Sequence, residues 1–332
     1  MYTLSYNLII GKRFSKGGRH LKIQFMKQKM MRKVIYALIP LILAGIYFYG
    51  WRTLVLLISV TLVACLVEWI FVRKSTKKIT EAIIVTSILY TLTLPPKVPI
   101  YIAIIGIIFG VLFGKMVFGG FGKNPFNPAL VGRAFIYVNF PRVMTMEWIK
   151  PSTDILGNLT KYSVDVVSQS TPLLDFRATG DMLHFKDIFL GNIAGSIGET
   201  SAVLILLGGI YLLYTKTAAK ETVFGLLGMF VVTSGIMYVM GVEQIPNPLY
   251  GLLTGGLLFG AFFMATDPIS SPKTKEGKYV YGAIIGLTTV IIRGFALFAG
   301  GMMFAILIGN TFAPLIDEIV KMIKGRERRQ NG

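Results

Sequence analysis

At 332 residues the chain is 54% hydrophobic and only 15% charged, with a mean hydropathy of +0.65. Soluble globular chains carry about 25% charged residues, so this composition excludes an ordinary soluble domain and defines a polytopic membrane protein. The net charge of +18 is what a membrane chain accumulates by keeping Lys and Arg in its cytoplasmic loops, and no nucleic-acid partner is expected.

The first 33 residues hold nine basic and no acidic residues. They lack the short charged region and small-residue cleavage site of a signal peptide, and Met26, Met30 and Met31 are alternative starts. Apolar runs then predict membrane spans near 34–49, 53–72, 80–95, 98–118, 127–141, 193–214, 221–242, 246–265, 279–299 and 301–320. The expected fold is therefore all-α, with about ten transmembrane helices in two five-span halves, 34–141 and 193–320. A basic tail, 1–33, precedes them, the polar segment 142–192 separates them, and a second basic tail, 321–332, follows. The third and fifth spans are short, and Pro95-Pro96 and Asn124-Pro125-Phe126-Asn127-Pro128 break the chain beside them. Broken segments persist at membrane depth only where protein or a cavity satisfies their backbone groups, so they mark candidate sites.

Charge sets the orientation. With a cytoplasmic N-terminus, the inner pieces hold 26 of the 34 Lys and Arg residues, the bias expected of a correctly oriented chain. Both termini are then cytoplasmic, and the polar excursion 141–190 is extracytoplasmic. The runs 107–114 and 257–263 echo each other, and each leads into an Asn-Pro or Asp-Pro turn. This fits, without establishing, a repeat of five spans.

One cysteine, Cys65, excludes an internal disulfide and an iron–sulfur cluster held by this chain alone. His20 and His184 lie in the tail and the polar loop, so a redox cofactor here would be organic. Three clusters have the residues for binding. Gly119-Gly-Phe-Gly-Lys-Asn124-Pro-Phe-Asn127-Pro128, continuing to Gly132-Arg133, offers close backbone approach and two amides for a flat heterocycle, or else a glycine-packed turn. Thr266-Asp267-Pro268-Ile-Ser-Ser271-Pro272 offers a carboxylate for a cation or ring N–H, or a solvated helix end. Gly195-Ser196-Ile-Gly-Glu199-Thr200-Ser201 offers an anion-binding nest at a helix start, or a capping box containing Glu199. Glu68 and Glu81 fall near inner span ends, where snorkelling suffices. Arg293 lies in the outer half of its span and calls for a carboxylate partner.

The loop element Asp165-Val-Val-Ser168-Gln-Ser-Thr171-Pro-Leu173, with GSIGETS, GKNPFNPALVGRAF and MATDPISSP elsewhere in the chain, resembles the D-subunit family of the Rnf ion-translocating oxidoreductases. That family is homologous to the B subunit of the sodium-pumping NADH:quinone reductase, and the resemblance runs from about residue 34 to 320. It implies a urea-transporter-like membrane flavoprotein. In the family, a flavin transferase using FAD joins FMN through its phosphate to a threonine hydroxyl within Asp-x-x-Ser-Gly-Ala-Thr. The matching residue is Thr171, with Ser168 in place and Gln169-Ser170 replacing Gly-Ala; Ser196, Glu199 and Thr200 complete the expected outer site. A non-covalent riboflavin is implied as well, with Asn124, Asn127 and Asp267 as its expected contacts. The implied role is an electron-transfer subunit coupling ferredoxin–NAD chemistry to Na+ or H+ movement in a bacterial or archaeal cell membrane. Its partners would be other membrane and peripheral subunits, including a second flavin carrier. A B-type subunit of an NADH:quinone reductase, a small-solute channel and a structural anchor are the competing readings.

Overall fold

The computed structural model describes residues 24–73, 78–146, 148–151, 158–163, 169–199, 201–296 and 300–330. Asp165, Ser168 and Thr200 lie outside the described residues. The described chain is predominantly α-helical, with one two-stranded parallel ladder, β1 (Gln24–Met26) on β2 (Lys78–Thr80). Among the described residues, four helices are long and apolar enough to cross a membrane, and three shorter apolar helices accompany them. The protein is an all-α, multi-pass membrane protein.

In chain order, α1 (Lys29–Tyr49) and α2 (Arg52–Val72) form a hairpin turned at Gly50, whose φ of +83° suits glycine. Next come α3 (Ala82–Leu92), α4 (Ile100–Val111) with a π-helical turn (Leu112–Met116), and α5 (Pro128–Asn139). Three short helices occupy the polar segment: α6 (Pro141–Met146), α7 (Pro172–Thr179) and α8 (Phe185–Leu190). The second half contains α9 (Ala202–Tyr214), α10 (Lys220–Val239), α11 (Pro248–Leu253), α12 (Leu257–Phe259) with its π turn (Gly260–Met264), α13 (Lys275–Phe295) and α14 (Met302–Gln330).

Hydrogen bonds sort the helix ends onto two faces. On the first, Arg32 and Gln28 meet Glu81, Lys33 reaches the Thr215 carbonyl, and Lys324 pairs with Glu276. This terminal face carries both ends of the described chain. On the opposite, loop face, Trp51 and Arg52 N–H groups donate to the carbonyls of Lys161 and Tyr162, and Arg177 donates to the carbonyls of Arg293 and Ala296. The described parts of the polar segment are thus gathered opposite the termini, as the charge pattern predicts.

Three predicted spans are built differently. Among the described residues of the span 193–214, only 202–214 are helical. Residues 193–198 instead run as buried irregular chain, with Ile197 N–H donating to the Leu94 carbonyl (3.1 Å) and Gly198 N–H to that of Leu92 (2.7 Å). The helices α3 and α9 rise about 16 and 20 Å, short of a hydrocarbon core of about 30 Å. The irregular segments beside them complete the path because they bond to each other inside protein. The span 246–265 is broken at Gly255 and Gly256, with φ of +64° and +68°. The last helix begins at 302 as expected but continues to Gln330.

The halves share one packing order. Helix α2 packs on α3 and α4 as α10 packs on α11 and α13; α4 lies on α5 as α13 lies on α14. Because α1 starts on the terminal face and α9 on the loop face, equivalent helices run in opposite directions. The sequence echo related α4 to α12, which run the same way. The echo reflects a shared ending, a π turn followed by an Asx-Pro turn; the packing pairs α4 with α13 instead. Close approach is through glycine: a Cβ on Gly282 or Gly286 would strike backbone of α10, and one on Gly110 would strike backbone of α5.

Candidate functional site

Two cavities lie between the halves, one towards each face. The larger, of about 250 Å3, is lined by residues of α5, the irregular segment 193–199, the α11–α12 break, the start of α14, and the loop at Thr171. Thr171 stands at its rim as the N-cap residue of α7, with Pro172 at the first helical position and extended backbone (φ −73°, ψ 157°). Most threonines at this position spend their hydroxyl on an N–H of the first turn; that of Thr171 makes no capping bond.

The residues around Thr171 fix it firmly. Gln169 N–H donates to the Trp148 carbonyl at 3.0 Å, and the Tyr250 hydroxyl donates to the Pro172 carbonyl at 3.3 Å. Leu173 is buried against Gly255, where a Cβ would collide with it. Arg177 ties the far end of α7 to the end of α13, and partial burial draws its guanidinium down from the usual arginine range. A short polar helix is thus clamped to the rest of the protein through four separate contacts, which a merely connecting loop would not need.

Ser196 and Glu199 also line this cavity. The Ser196 hydroxyl donates to Glu199 Oε2 at 2.7 Å, and Glu199 Oε1 lies 3.6 Å from the Arg133 guanidinium of α5. Gly256 is the floor beneath this carboxylate, since a Cβ there would collide with it. The expectation of an anion nest at 195–199 is overturned: the N–H groups of Ile197, Gly198 and Glu199 are spent on the carbonyls of Leu94, Leu92 and Ser196. The capping box is not formed by Glu199 either; Ser201 caps α9 through the Leu204 N–H.

The smaller cavity, of about 60 Å3, brings together Asn124, Asn127 and Asp267, together with Lys115 and Thr266. The two turns meet at this cavity, yet their polar groups serve the turns themselves. Asn127 Oδ1 caps α5 by accepting from Ala129 N–H at 3.1 Å, and its amide donates to the Met264 carbonyl at 3.4 Å. The Asn124 amide donates to the Phe126 carbonyl at 3.1 Å. Asp267 accepts from the Ser270 hydroxyl at 2.8 Å and from the N–H groups of Ile269 and Ser270. Its side chain is half-buried and turned back onto its own turn.

Sequence reasoning missed or misread several buried polar groups. Glu68 does not snorkel: it is 1% exposed and pairs with Lys115, 2% exposed, at 3.0 Å, and Lys115 also donates to the Thr80 hydroxyl at 2.8 Å. The π turn brings Lys115 inward, because one extra residue rotates the remainder of the helix by about 100°. Glu81 is held by Arg32 and by the Gln28 N–H. Arg293 is 3% exposed and takes no carboxylate: it donates to the carbonyls of Gly251, Thr254, Gly255 and Gly300 and lies over the Phe230 ring. Three of those carbonyls belong to the unsatisfied end of α11, so a guanidinium replaces the missing helical donors. Asn310, 1% exposed in α14, accepts from Asn127 N–H and donates to the Ser270 carbonyl and the Tyr281 hydroxyl, stitching the two Pro turns together. An Asn in an apolar helix was the available signal for it.

The fold and the cavities define a polytopic α-helical membrane protein of two similar halves, with a polar chamber between them and a hydroxyl at its rim. The chain belongs to the NQR2, RnfD, RnfE family, whose model matches residues 15–324. It is similar to the B subunit of the Na(+)-translocating NADH-quinone reductase of Pseudomonas aeruginosa, with 40% identity over 260 residues, 76% of this chain and 63% of the relative. The B subunit from Azotobacter vinelandii is 41% identical over the same share of each chain. That of Klebsiella pneumoniae is 36% identical over 282 residues, 83% of this chain and 68% of the relative. The chain thus spans about 63% of the length of the first of these relatives.

Proposed function

We propose that this chain is the flavin-carrying membrane subunit of an ion-translocating oxidoreductase complex, a translocase, with FMN joined through its phosphate to Thr171. The observation that carries this reading is the unspent hydroxyl of Thr171 at the rim of a chamber between the halves. The chamber's walls suit a flat polar ring. Arg133 Nε is buried without a partner, Gly195 faces open space, and Gly255, Gly256, Gly300 and Gly301 keep side chains out of the lining. When bound, a flavin would supply one- and two-electron transfer, which no side chain here provides. The chain's part is to hold the attachment point by the contacts of Gln169, Pro172 and Leu173, and to exclude water with Tyr137, Phe259 and Met302.

Ferredoxin–NAD chemistry of the Rnf kind is the first assignment, on the four motifs; the names of the relatives favour NADH–quinone chemistry as the second. Either places the chain among other membrane and peripheral subunits, one of them a second flavin carrier, and requires a flavin transferase for maturation. In this reading there are ten crossings of the cell membrane, both termini are cytoplasmic, and Thr171 is extracytoplasmic. Riboflavin is assigned to the cavity of Asn124, Asn127 and Asp267. A ring there requires more room than the cavity's 60 Å3.

Co-expression with a flavin transferase tests the reading. The denatured band should fluoresce as a flavin, Thr171→Ala should not, and Thr171→Ser should retain some label. A Thr171→Ala band as bright as the parent would refute the assignment.

A further inference from the structure

Arg133 reaches the larger cavity with its hydrogen-bonding capacity unspent. Its side chain is 14% exposed, yet none of its N–H groups makes a hydrogen bond among the described residues, and Nε is buried without a partner. Its ion-pair partner Glu199 stands at 3.6 Å, longer than a hydrogen bond. Glu199 is not placed to close that gap, since it is held by Ser196 and set against Gly256. A guanidinium presents five donors in a fixed fork; the one on Nε is buried without an acceptor and the others open into the chamber. An occupant with acceptor atoms would meet a ready set of donors at Arg133.

Depth selects which acceptors. Helix α5 runs from the terminal face at Asn127 to the loop face at Phe140, and its cavity residues are Leu130, Arg133 and Tyr137. Arg133 lies seven residues before the outer end, about 10 Å inward along the axis. Thr171 lines the same cavity from the loop face, so an ester on it would hold its phosphate near that face and leave the tethered ring free to reach inward. Arg133 would then be placed to meet the ring.

We propose that Arg133 binds the pyrimidine edge of the tethered flavin and holds its reduction potential up, with Glu199 as the opposing charge that limits the effect. The inference rests on the reading of FMN at Thr171. Reduction by two electrons with uptake of one proton leaves a single negative charge on the ring at neutral pH. A cation fixed at that edge stabilises the charged reduced form more than the neutral oxidised form. A carboxylate beside the cation partly cancels its field.

The test is a reductive titration of the purified full-length protein, co-expressed with the transferase. The Thr171→Ala spectrum serves to isolate the tethered flavin. Arg133→Gln should lower the midpoint potential by roughly tenfold in the equilibrium constant, about 30 mV for a two-electron couple. Arg133→Lys should restore much of it, and Glu199→Gln should raise the potential above the parent's. All three variants should keep a fluorescent denatured band, because attachment occurs at the rim. An unchanged potential in Arg133→Gln, or a fall in Glu199→Gln, overturns the proposal while leaving the attachment intact. Should Arg133→Gln fail to accumulate, the signs of the shifts in Arg133→Lys and Glu199→Gln decide it. A parent band without flavin overturns the reading beneath it, and this inference with it.

Discussion

Replacing Lys115 by Met removes the cation from a pair that is almost wholly enclosed, Glu68 at 1% and Lys115 at 2% exposure. Glu68 would keep the Thr80 hydroxyl at 2.8 Å and the Thr80 N–H at 3.4 Å, neither of which carries charge. Removing one partner of a buried pair costs roughly 3–5 kcal/mol, whereas replacing both by apolar groups of similar volume is often neutral. Glu68→Leu combined with Lys115→Met should therefore fall within about 1–2 kcal/mol of the parent, the difference arising from the Thr80 hydroxyl left without partners. The single variant should lie roughly 1–4 kcal/mol below the double. Unfolding in mixed micelles, followed by tryptophan fluorescence from Trp51, Trp69 and Trp148, reads both. A single variant as stable as the double would show that the enclosed pair is not what holds α2 to the π turn.

Other outcomes rest on the same contacts. Arg293→Leu exposes the carbonyl end of α11 and should destabilise the protein by roughly 3 kcal/mol or more, with Arg293→Lys recovering only part, as seen by thermal unfolding. A cysteine placed at exposed Asp181, after Cys65→Ala, should react with an impermeant thiol reagent in intact cells; labelling only after lysis would reverse the proposed orientation. Asn127→Leu with Asp267→Leu should release non-covalent flavin and leave the Thr171-linked label in place; a purified variant with its full flavin complement would show that these turns are structural.

The long helices were legible because a run of apolar residues has one solution in a bilayer. The clustering of Asn124, Asn127 and Asp267 was legible too, since Pro after Asx in a membrane chain marks a helix break. Segment 193–198 was not. Its apolar content resembles a span, and only pairing with the Leu92 and Leu94 carbonyls, some hundred residues away, makes irregular backbone tolerable there. For the same reason Arg293 was expected to need a carboxylate: sequence shows a cation needing compensation, but not that a broken helix supplies carbonyls. The role of Arg133 was not legible, because nothing local reveals that its fork opens into a chamber lined by both halves.

A flavin-carrying role requires an ester at the Thr171 hydroxyl, and peptide mass spectrometry detects it most directly. The full chain, co-expressed with a flavin transferase and digested, should yield the peptide containing Thr171 heavier by FMN less one water, with fragmentation confining the added mass to Thr171. Recovery of that peptide only at its unmodified mass, or the addition at Ser168 or Ser170 instead, would contradict it.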